Sequence, residues 1–281
     1  DLQSIVSTMK ALAAVSIRQY ERATQSLAVY YWTIEFGLHV LLRDTALQEG
    51  LPNKSAGGGL GAIVFGSDQG LCGRFNEDIA AFALQRIEAS PAHGYGHRVL
   101  AIGNRTAGSL EYLGQSPLIT LPTPSSAQHI TNSVQQVLLI IDEWQSGQRI
   151  EHVQLFYHRQ LPKGGQSQPT GLQLLPVNLH RFRRLREEPW PSRSRPTYTL
   201  ERGQLLTALL RQYFAVTLFR AFAESLASEH TSRLTAMQAA DKNLKDNLEE
   251  VVATYHRLRQ DAITGELLDV VSGFEALTAG R

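Results

Sequence analysis

The chain has 281 residues, 43% of them hydrophobic and 19% charged, so it can bury a packed core and is not intrinsically disordered. The formal net charge is +1, which gives no overall field that would favour nucleic acid or a strongly anionic partner. The single cysteine, Cys72, excludes an internal disulfide and a cysteine-rich metal site.

The first predicted element is a long amphipathic helix over residues 2–48. Apolar residues recur there at helical spacing, at Leu2, Ile5, Met9 and Leu12 and again at Ile34, Leu38 and Leu41. Such a helix would be roughly 70 Å long. The chain opens with Asp1 and no signal-peptide pattern, and no apolar run reaches the ~20 residues of a membrane span. We therefore expect no signal peptide and no direct membrane span.

A glycine-rich loop over residues 50–59 separates this helix from a segment of different character. We expect strands at 62–65, 98–102, 117–121, 152–158 and 171–177, and helices at 76–90, 104–113 and 125–146. Asn76 and Ser125 or Ser126 are the expected helix caps. Pro176 indicates that the fifth strand is an edge strand, because proline cannot donate to a ladder. Strands that alternate with helices predict a small, mainly parallel α/β sheet.

The last predicted element is one helix from about residue 203 to 277, with Thr199 as its expected N-cap. It contains no proline, and at about 75 residues it would be roughly 110 Å long. Its apolar residues form a heptad seam at Leu244, Leu248, Val251, Tyr255, Leu258 and Ala262. Because this helix is longer than the first, part of it must project alone or be buried in another protein.

These elements predict an α/β fold combined with a long antiparallel two-helix coiled coil, in which the sheet domain is inserted between the two helices. The expected division is an N-terminal helix at 1–50, a Rossmann-like α/β domain at 60–180, a linker at 181–199 and a C-terminal helix at 200–281.

The turn from Gly66 to Gly73 is the main candidate for chemistry, because it follows a strand and precedes a helix. It can be interpreted as a phosphate cradle or as a tight, glycine-supported turn. The sequence of the turn matches neither the dinucleotide-binding fingerprint nor the P-loop motif, and it lacks the lysine of a P-loop. We therefore favour the tight turn. Cys72 within it has no neighbouring base in the sequence and is expected to be a small buried thiol.

Two other groups of residues raise the question of a metal site and of a nucleic-acid contact. His93 and His97 are four residues apart, but the proline and glycines around them indicate a loop, and we expect no metal site. Six arginines form a basic cluster at Arg181, Arg183, Arg184, Arg186, Arg193 and Arg195. The cluster is compatible with nucleic-acid contact, but a solvated hairpin or a surface that faces an acidic protein is favoured, since the whole chain is nearly neutral.

Four segments closely resemble the gamma subunit of F-type ATP synthases: residues 5–16, 65–76, 228–243 and 255–273. They keep the order and spacing of that family, and the resemblance covers nearly the whole chain. It implies the rotor shaft of a rotary ATPase, whose partners are the alpha and beta subunits of the head, the epsilon subunit and the ring of c subunits. It also implies a peripheral position at the cytoplasmic face of a bacterial inner membrane.

The resemblance implies no catalytic residue, cofactor or metal in this subunit, and no nucleic-acid partner. Arg259 and Gln260 match a pair that meets a loop of a beta subunit, and Thr264 and Glu266 belong to the same expected contact. Met9 matches a position near the beta-subunit lever.

Departures from the family pattern, such as Arg74 at a usual glycine, suggest a divergent member, whose sequence as given lacks the N-terminal tip. The coupling ion, H⁺ or Na⁺, stays open. The alternatives are a nucleotide-binding α/β enzyme that uses the 66–73 turn, and a coiled-coil scaffold that binds nucleic acid through its arginine cluster.

Overall fold

The computed structural model describes residues 2–43, 58–147, 149–160, 167–177 and 197–279. In chain order the elements are α1 (Leu2–Arg43), β1 (Gly59–Phe65), α2 (Phe75–Glu88), β2 (His97–Ile102), α3 (Asn104–Tyr112), β3 (Ile119–Leu121), α4 (Ile130–Gly147), β4 (Ile150–Arg159), β5 (Gln168–Leu175) and α5 (Arg202–Ala279), with short 3₁₀ helices at Pro91–Tyr95 and Ala127–His129. The helix–sheet–helix order expected from the sequence is present.

The five strands form one sheet in the order β3-β2-β1-β4-β5. The β1–β2, β2–β3 and β1–β4 pairs are parallel, whereas β5 runs antiparallel to β4 along one edge. The prediction of a mainly parallel sheet with the fifth strand at its edge is confirmed. β5 ends at Leu175, directly before Pro176, and it contains a second proline, Pro169, which an edge strand tolerates.

The central strand β1 is buried along its whole length because helices cover both faces of the sheet. One face packs against α4 and α5, with Ile63 and Phe65 of β1 in the same apolar cluster as Phe222 of α5. The other face packs against α2 and α3, through residues such as Leu60 and Val64. Helix α5 therefore has two roles: it covers one face of the sheet, and it is one of the two helices of the coiled coil.

Helices α1 and α5 pack antiparallel, which three contacts along their length show. Lys10 Nζ lies 2.9 Å from Asp241 Oδ2 near the start of α1, and the Tyr20 ring stacks on His230 with centroids 5.6 Å apart. At the other end, the Arg202 guanidinium donates to the Leu41 carbonyl oxygen at 2.8 Å. The predicted antiparallel coiled coil is confirmed.

Past the first turns of α1, which lie beside the α5 residues that follow Asp241, α5 projects without cover from the other described elements. The predicted seam residues of this part are exposed, including Val251 at 64% and Leu258 at 61%. The seam was expected to be buried by a partner helix or by another protein, and α1 covers none of it beyond its own first turns.

An 18-residue window of α5 meets the length and composition criteria for a membrane span. The apolar residues of this helix that lie over the sheet, such as Leu218, Phe222 and Leu226, are buried in the core. Such a match is typical of a core helix, and one helix of this kind is weak support for a membrane span.

Three predicted caps are wrong. Asn76 lies inside α2 and is buried, because its side chain is used by the preceding turn. Ser125 and Ser126 precede a 3₁₀ helix, and both hydroxyls contact His129 Nδ1 instead of capping α4. Thr199 does not cap α5: the Glu201 carboxylate accepts from the N–H groups of Gly203 and Gln204, each at 3.0 Å. These two bonds lower the pKa of Glu201.

Candidate functional site

The residues predicted to contact a beta subunit lie on the projecting part of α5. Arg259, Gln260, Thr264 and Glu266 are all exposed. In an α-helix, residues four apart share a face, so Gln260 and Thr264 lie one turn apart on the same side of α5. Arg259 and Glu266 lie two turns apart on another side, roughly 130° away around the helix axis at about 100° per residue. The structure therefore places the four side chains on one exposed helix segment but not on one face.

Met9 lies apart from these four residues. It is half-buried on α1, next to Lys10, whose ammonium pairs with Asp241. Arg259 is 18 positions beyond Asp241 on a continuous helix, which is about 27 Å at 1.5 Å per residue. Met9 thus lies near the base of the projecting segment, and the four α5 residues lie farther out.

The 66–73 turn has the contacts of a tight structural turn. The Ser67 N–H donates to Asn76 Oδ1 at 3.0 Å and to Thr106 Oγ1 at 3.2 Å. A Cβ added at Gly66 would lie 1.6 Å from Thr106 Oγ1, so only glycine fits there. Asn76 and Thr106 thereby anchor the turn to α2 and α3.

An acidic side chain of the 66–73 turn already occupies the N-terminus of α3. The Asp68 carboxylate accepts from the N–H of Asn104 at 2.8 Å, at the start of α3, and from the N–H of Thr123 at 2.7 Å. A helix N-terminus attracts one anion, and here that anion is Asp68. A bound phosphate would be repelled by this carboxylate, so the geometry disfavours the nucleotide-binding alternative.

A buried ion pair between the turn and α5 was not anticipated from the sequence. Arg233 Nη2 lies 2.6 Å from Glu229 Oε1 and also donates to the carbonyl oxygens of Gln69 at 3.2 Å and Gly70 at 3.4 Å. The two side chains are only 6% and 7% exposed. Burial raises the pKa of Glu229 to about 7, although Arg233 beside it acts in the opposite direction. The sequence signal was a Glu–Arg pair four residues apart, which usually indicates an exposed helix face.

A buried histidine, His158, and a half-buried one, His230, adjoin this region. The His158 ring stacks on Phe75 with centroids 4.2 Å apart, and burial lowers its pKa to about 4. Burial and the nearby Arg233 likewise lower the pKa of His230 to about 4. Both rings are therefore neutral near pH 7, and they act as packing groups rather than as charged ones.

Cys72 is a buried free thiol, as expected. Its sulfur lies 3.6 Å from the Ser67 hydroxyl and 3.5 Å from Asn76 Nδ2. Burial raises the pKa of the thiol, so the nucleophilic thiolate is disfavoured.

The His93 and His97 rings stack on each other at 4.7 Å, and His97 Nε2 pairs with Gln115 Oε1 at 2.9 Å. Among the described residues, no group of three or more His, Cys, Asp or Glu side chains could hold a metal ion. The arginine cluster over residues 181–195 lies outside the described residues.

Comparison with known proteins assigns the family. A family model described as ATP synthase matches residues 1–277. An ATP synthase gamma chain of Thiobacillus denitrificans is 31% identical over 218 residues, which are 78% of this chain and 74% of that protein. The chain belongs to the ATP synthase gamma-chain family. The gamma chain of Nostoc punctiforme is 28% identical and matches along 98% of this chain and 95% of its own length.

Solved structures show the same fold. A chain from the central stalk and c-ring of Tetrahymena thermophila mitochondrial ATP synthase superposes with a TM-score of 0.59 at 17% identity, over 84% of this chain and 99% of that one. A chain from Euglena gracilis mitochondrial ATP synthase gives 0.56 at 15% identity, over 98% and 96%. The expectation of a central-stalk rotor subunit of an F-type ATP synthase, a membrane-associated complex, is confirmed by the family.

Proposed function

We propose that the projecting part of α5 is the segment of this rotor that lies inside a head of alternating alpha and beta subunits. The single observation that carries the proposal is the exposure of its seam, from Leu248 through Val251 to Leu258, which are 57%, 64% and 61% exposed. A contiguous apolar stripe on a soluble surface marks an interaction site. A surrounding ring of subunits would enclose the helix on all sides and so cover this stripe.

The polar residues of the same segment suit a contact that is made and broken as the shaft turns. We assign Arg259 and Gln260 to a beta-subunit loop, with Thr264 and Glu266 on the adjoining turns of the helix. Exposed polar groups exchange water for protein partners at a small net free energy, about 0.5–1.5 kcal/mol per neutral hydrogen bond and about 1.5–3 kcal/mol for one that involves a charged group such as Arg259. Contacts of this strength can be released at each step. Met9, at the base of the segment, would face the beta-subunit lever.

The other subunits of the complex would surround the rest of the chain. The sheet stands below the head, beside an epsilon subunit and on a ring of c subunits, at the cytoplasmic face of a bacterial inner membrane. The complex couples the flow of H⁺ or Na⁺ to ATP synthesis or hydrolysis, and this subunit transmits rotation between the two sites. The division into residues 1–50, 60–180, 181–199 and 200–281 belongs to the same proposal: two shaft helices, a foot domain and its linker.

The beta-subunit contact is tested by replacing its polar side chains with apolar ones of similar length. ATP synthase assembled with the double variant Arg259→Met, Gln260→Leu is compared with the wild-type complex and with Arg211→Met, which alters an exposed arginine on the part of α5 that packs along α1. Loss of one hydrogen bond to a charged partner costs about 1.5–3 kcal/mol.

We expect ATP-driven ion pumping to fall about tenfold or more in the double variant and to stay unchanged in Arg211→Met. Equal pumping rates in all three complexes would contradict the assigned contact. A wild-type chain that assembles with no alpha or beta subunit would contradict the position inside the head.

A further inference from the structure

The junction between the sheet and the coiled coil contains a buried polar cluster that the rotor role does not by itself require. The cluster consists of Glu229 and Arg233 of α5 and the carbonyl groups of Gln69 and Gly70 in the turn after β1. One guanidinium nitrogen, Arg233 Nη2, serves all three partners at distances from 2.6 to 3.4 Å. We call this cluster the register lock.

The register lock is connected to the other helix of the shaft. Arg233 Nη1 lies 3.4 Å from His230 Nδ1, and the His230 ring stacks on Tyr20 of α1 with an interplanar angle of 13°. Arg233 therefore contacts the sheet domain directly and reaches α1 through His230. The same side chain is therefore linked to both helices of the coiled coil, to α5 directly and to α1 through the stacked His230 ring.

The turn itself is held firmly on the side of the sheet. Ser67 is bonded to Asn76 of α2 and to Thr106 of α3, and Asp68 is bonded to the start of α3. The Gln69 and Gly70 carbonyls thus have fixed directions relative to the sheet. A side chain of α5 that bonds them fixes the rotational angle of α5 as well.

Two other polar contacts at this junction, from Ser228 to the His158 carbonyl oxygen at 3.2 Å and from Gln160 to Thr231 at 2.9 Å, join α5 to the end of β4, and the register lock joins it to the turn after β1. The remaining contacts are mainly apolar and specify the angle less sharply. Leu218, Phe222 and Leu226 of α5 pack in the core of the sheet. Apolar burial is non-directional and depends on area, whereas hydrogen bonds weaken steeply when their angle changes. Buried polar groups are best known for specifying register, often at a cost in stability.

We propose that Glu229 and Arg233 are positioning residues that hold the sheet domain at one rotational angle on the shaft, so that torque crosses the junction without slip. The proposal goes beyond the rotor role and rests on it. Without the register lock, the shaft would turn partly against the sheet domain, and some ATP hydrolysis in the head would drive no ion pumping.

The test removes the lock without leaving a buried charge unpaired. Removing only one partner of a buried pair strands the other charge, whereas replacing both with apolar groups of similar volume is often neutral or stabilising. ATP synthase is therefore assembled with the double variant Glu229→Leu, Arg233→Met, with Arg211→Met as the matched control. The measured quantity is the number of ions pumped per ATP hydrolysed.

We expect this ratio to fall at least about twofold in the double variant, with hydrolysis in the head preserved, because the head contact lies elsewhere on α5. A structural role alone would lower assembly yield and leave the ratio in the assembled complexes unchanged, and that outcome would overturn the proposal. Failure of the wild-type complex to pump at all would instead contradict the rotor role.

A conservative variant keeps the proposal open to test if the double variant does not assemble. Arg233→Lys retains one positive charge beside Glu229, but a single ammonium on a flexible stem lacks the planar fork of arginine. We expect the pumping ratio of this variant to lie between those of the wild type and a complex without the lock. A ratio equal to that of the wild type, in a complex whose Gln69 and Gly70 carbonyls have lost the bond, would overturn the proposal.

Discussion

Lys10 and Asp241 form an ion pair of 2.9 Å that joins the first turns of α1 to α5. Asp241 also contacts Lys245, one turn farther along α5, at 3.4 Å. Eight residues of α1 precede Lys10, so α5 becomes a single helix about two turns beyond the pair. The Lys10 ammonium lowers the pKa of the Asp241 carboxyl, mainly through the hydrogen bond between them.

This relationship predicts a specific zero-length cross-link. A carbodiimide joins an amine to a carboxylate only when the two are in contact, so it should link Lys10 to Asp241 and give a peptide that spans α1 and α5. The Asp241–Lys245 link within α5 is an internal control, and Lys10→Arg should abolish the first product alone. Mass spectrometry of the digested, cross-linked protein measures both. Recovery of the α5 product without the Lys10 product from the wild type would contradict the antiparallel register.

The tight turn after β1 predicts a strong effect of one added methyl group. In Gly66→Ala, the new Cβ would lie 1.6 Å from Thr106 Oγ1, and the anchored turn must shift to accept it. We expect a loss of about 1–3 kcal/mol in the free energy of unfolding. Gly108→Ala is the matched control, because its Cβ meets nothing within 4 Å and alanine favours the helix by up to about 1 kcal/mol. Denaturant unfolding compares the variants, and equal stabilities would contradict the described turn.

Burial of His158 predicts a stability that falls in mild acid. The unfolded side chain has a pKa of about 6.5, and burial lowers it to about 4 in the folded chain, so the unfolded state binds a proton that the folded state rejects. The contribution of His158 is fully present above about pH 6.5 and is lost as the pH falls toward 4. Between about pH 7.5 and pH 5, the loss should be on the order of 2 kcal/mol.

The control for this prediction is His158→Phe, which keeps an aromatic ring against Phe75 and removes the titrating group. His230, which also has a lowered pKa, and Glu229, which has a raised one, remain in both proteins and cancel in the comparison. Unfolding at the two pH values should show a shallower pH dependence in the variant. Identical dependences in both proteins would contradict the neutral, buried His158.

The long helices and the sheet were predictable because their signals are periodic and extend over many residues. The spacing of apolar residues along one helix face predicted α1 and α5, and short apolar runs between turn residues predicted the strands. The caps were not predictable in the same way. Asn76 has a good capping side chain, but its amide is taken up by Ser67 and Thr106, and Thr106 lies 30 residues away in the sequence. Tertiary partners decided the role of that residue.

One of the two candidate sites could be predicted from the sequence, and the other could not. The exposed α5 segment followed from helix length and from the family motif that carries Arg259 and Gln260. The register lock did not, since a Glu–Arg pair four residues apart has the spacing of a solvent-exposed helix pair. Its burial depends on the turn at Gln69 and Gly70, which is more than 160 positions earlier in the chain.

The rotor role is tested most directly by watching the chain turn. Tyr112 on α3 is 91% exposed, and the single native cysteine, Cys72, is buried with a raised thiol pKa, so a Tyr112→Cys variant takes a thiol-reactive probe at one site. The variant is assembled into ATP synthase, the head is immobilised, and the probe is followed by single-molecule microscopy while ATP is supplied. We predict stepwise rotation of the probe in one direction. A probe that stays fixed relative to the head while the same complexes hydrolyse ATP would contradict the rotor role.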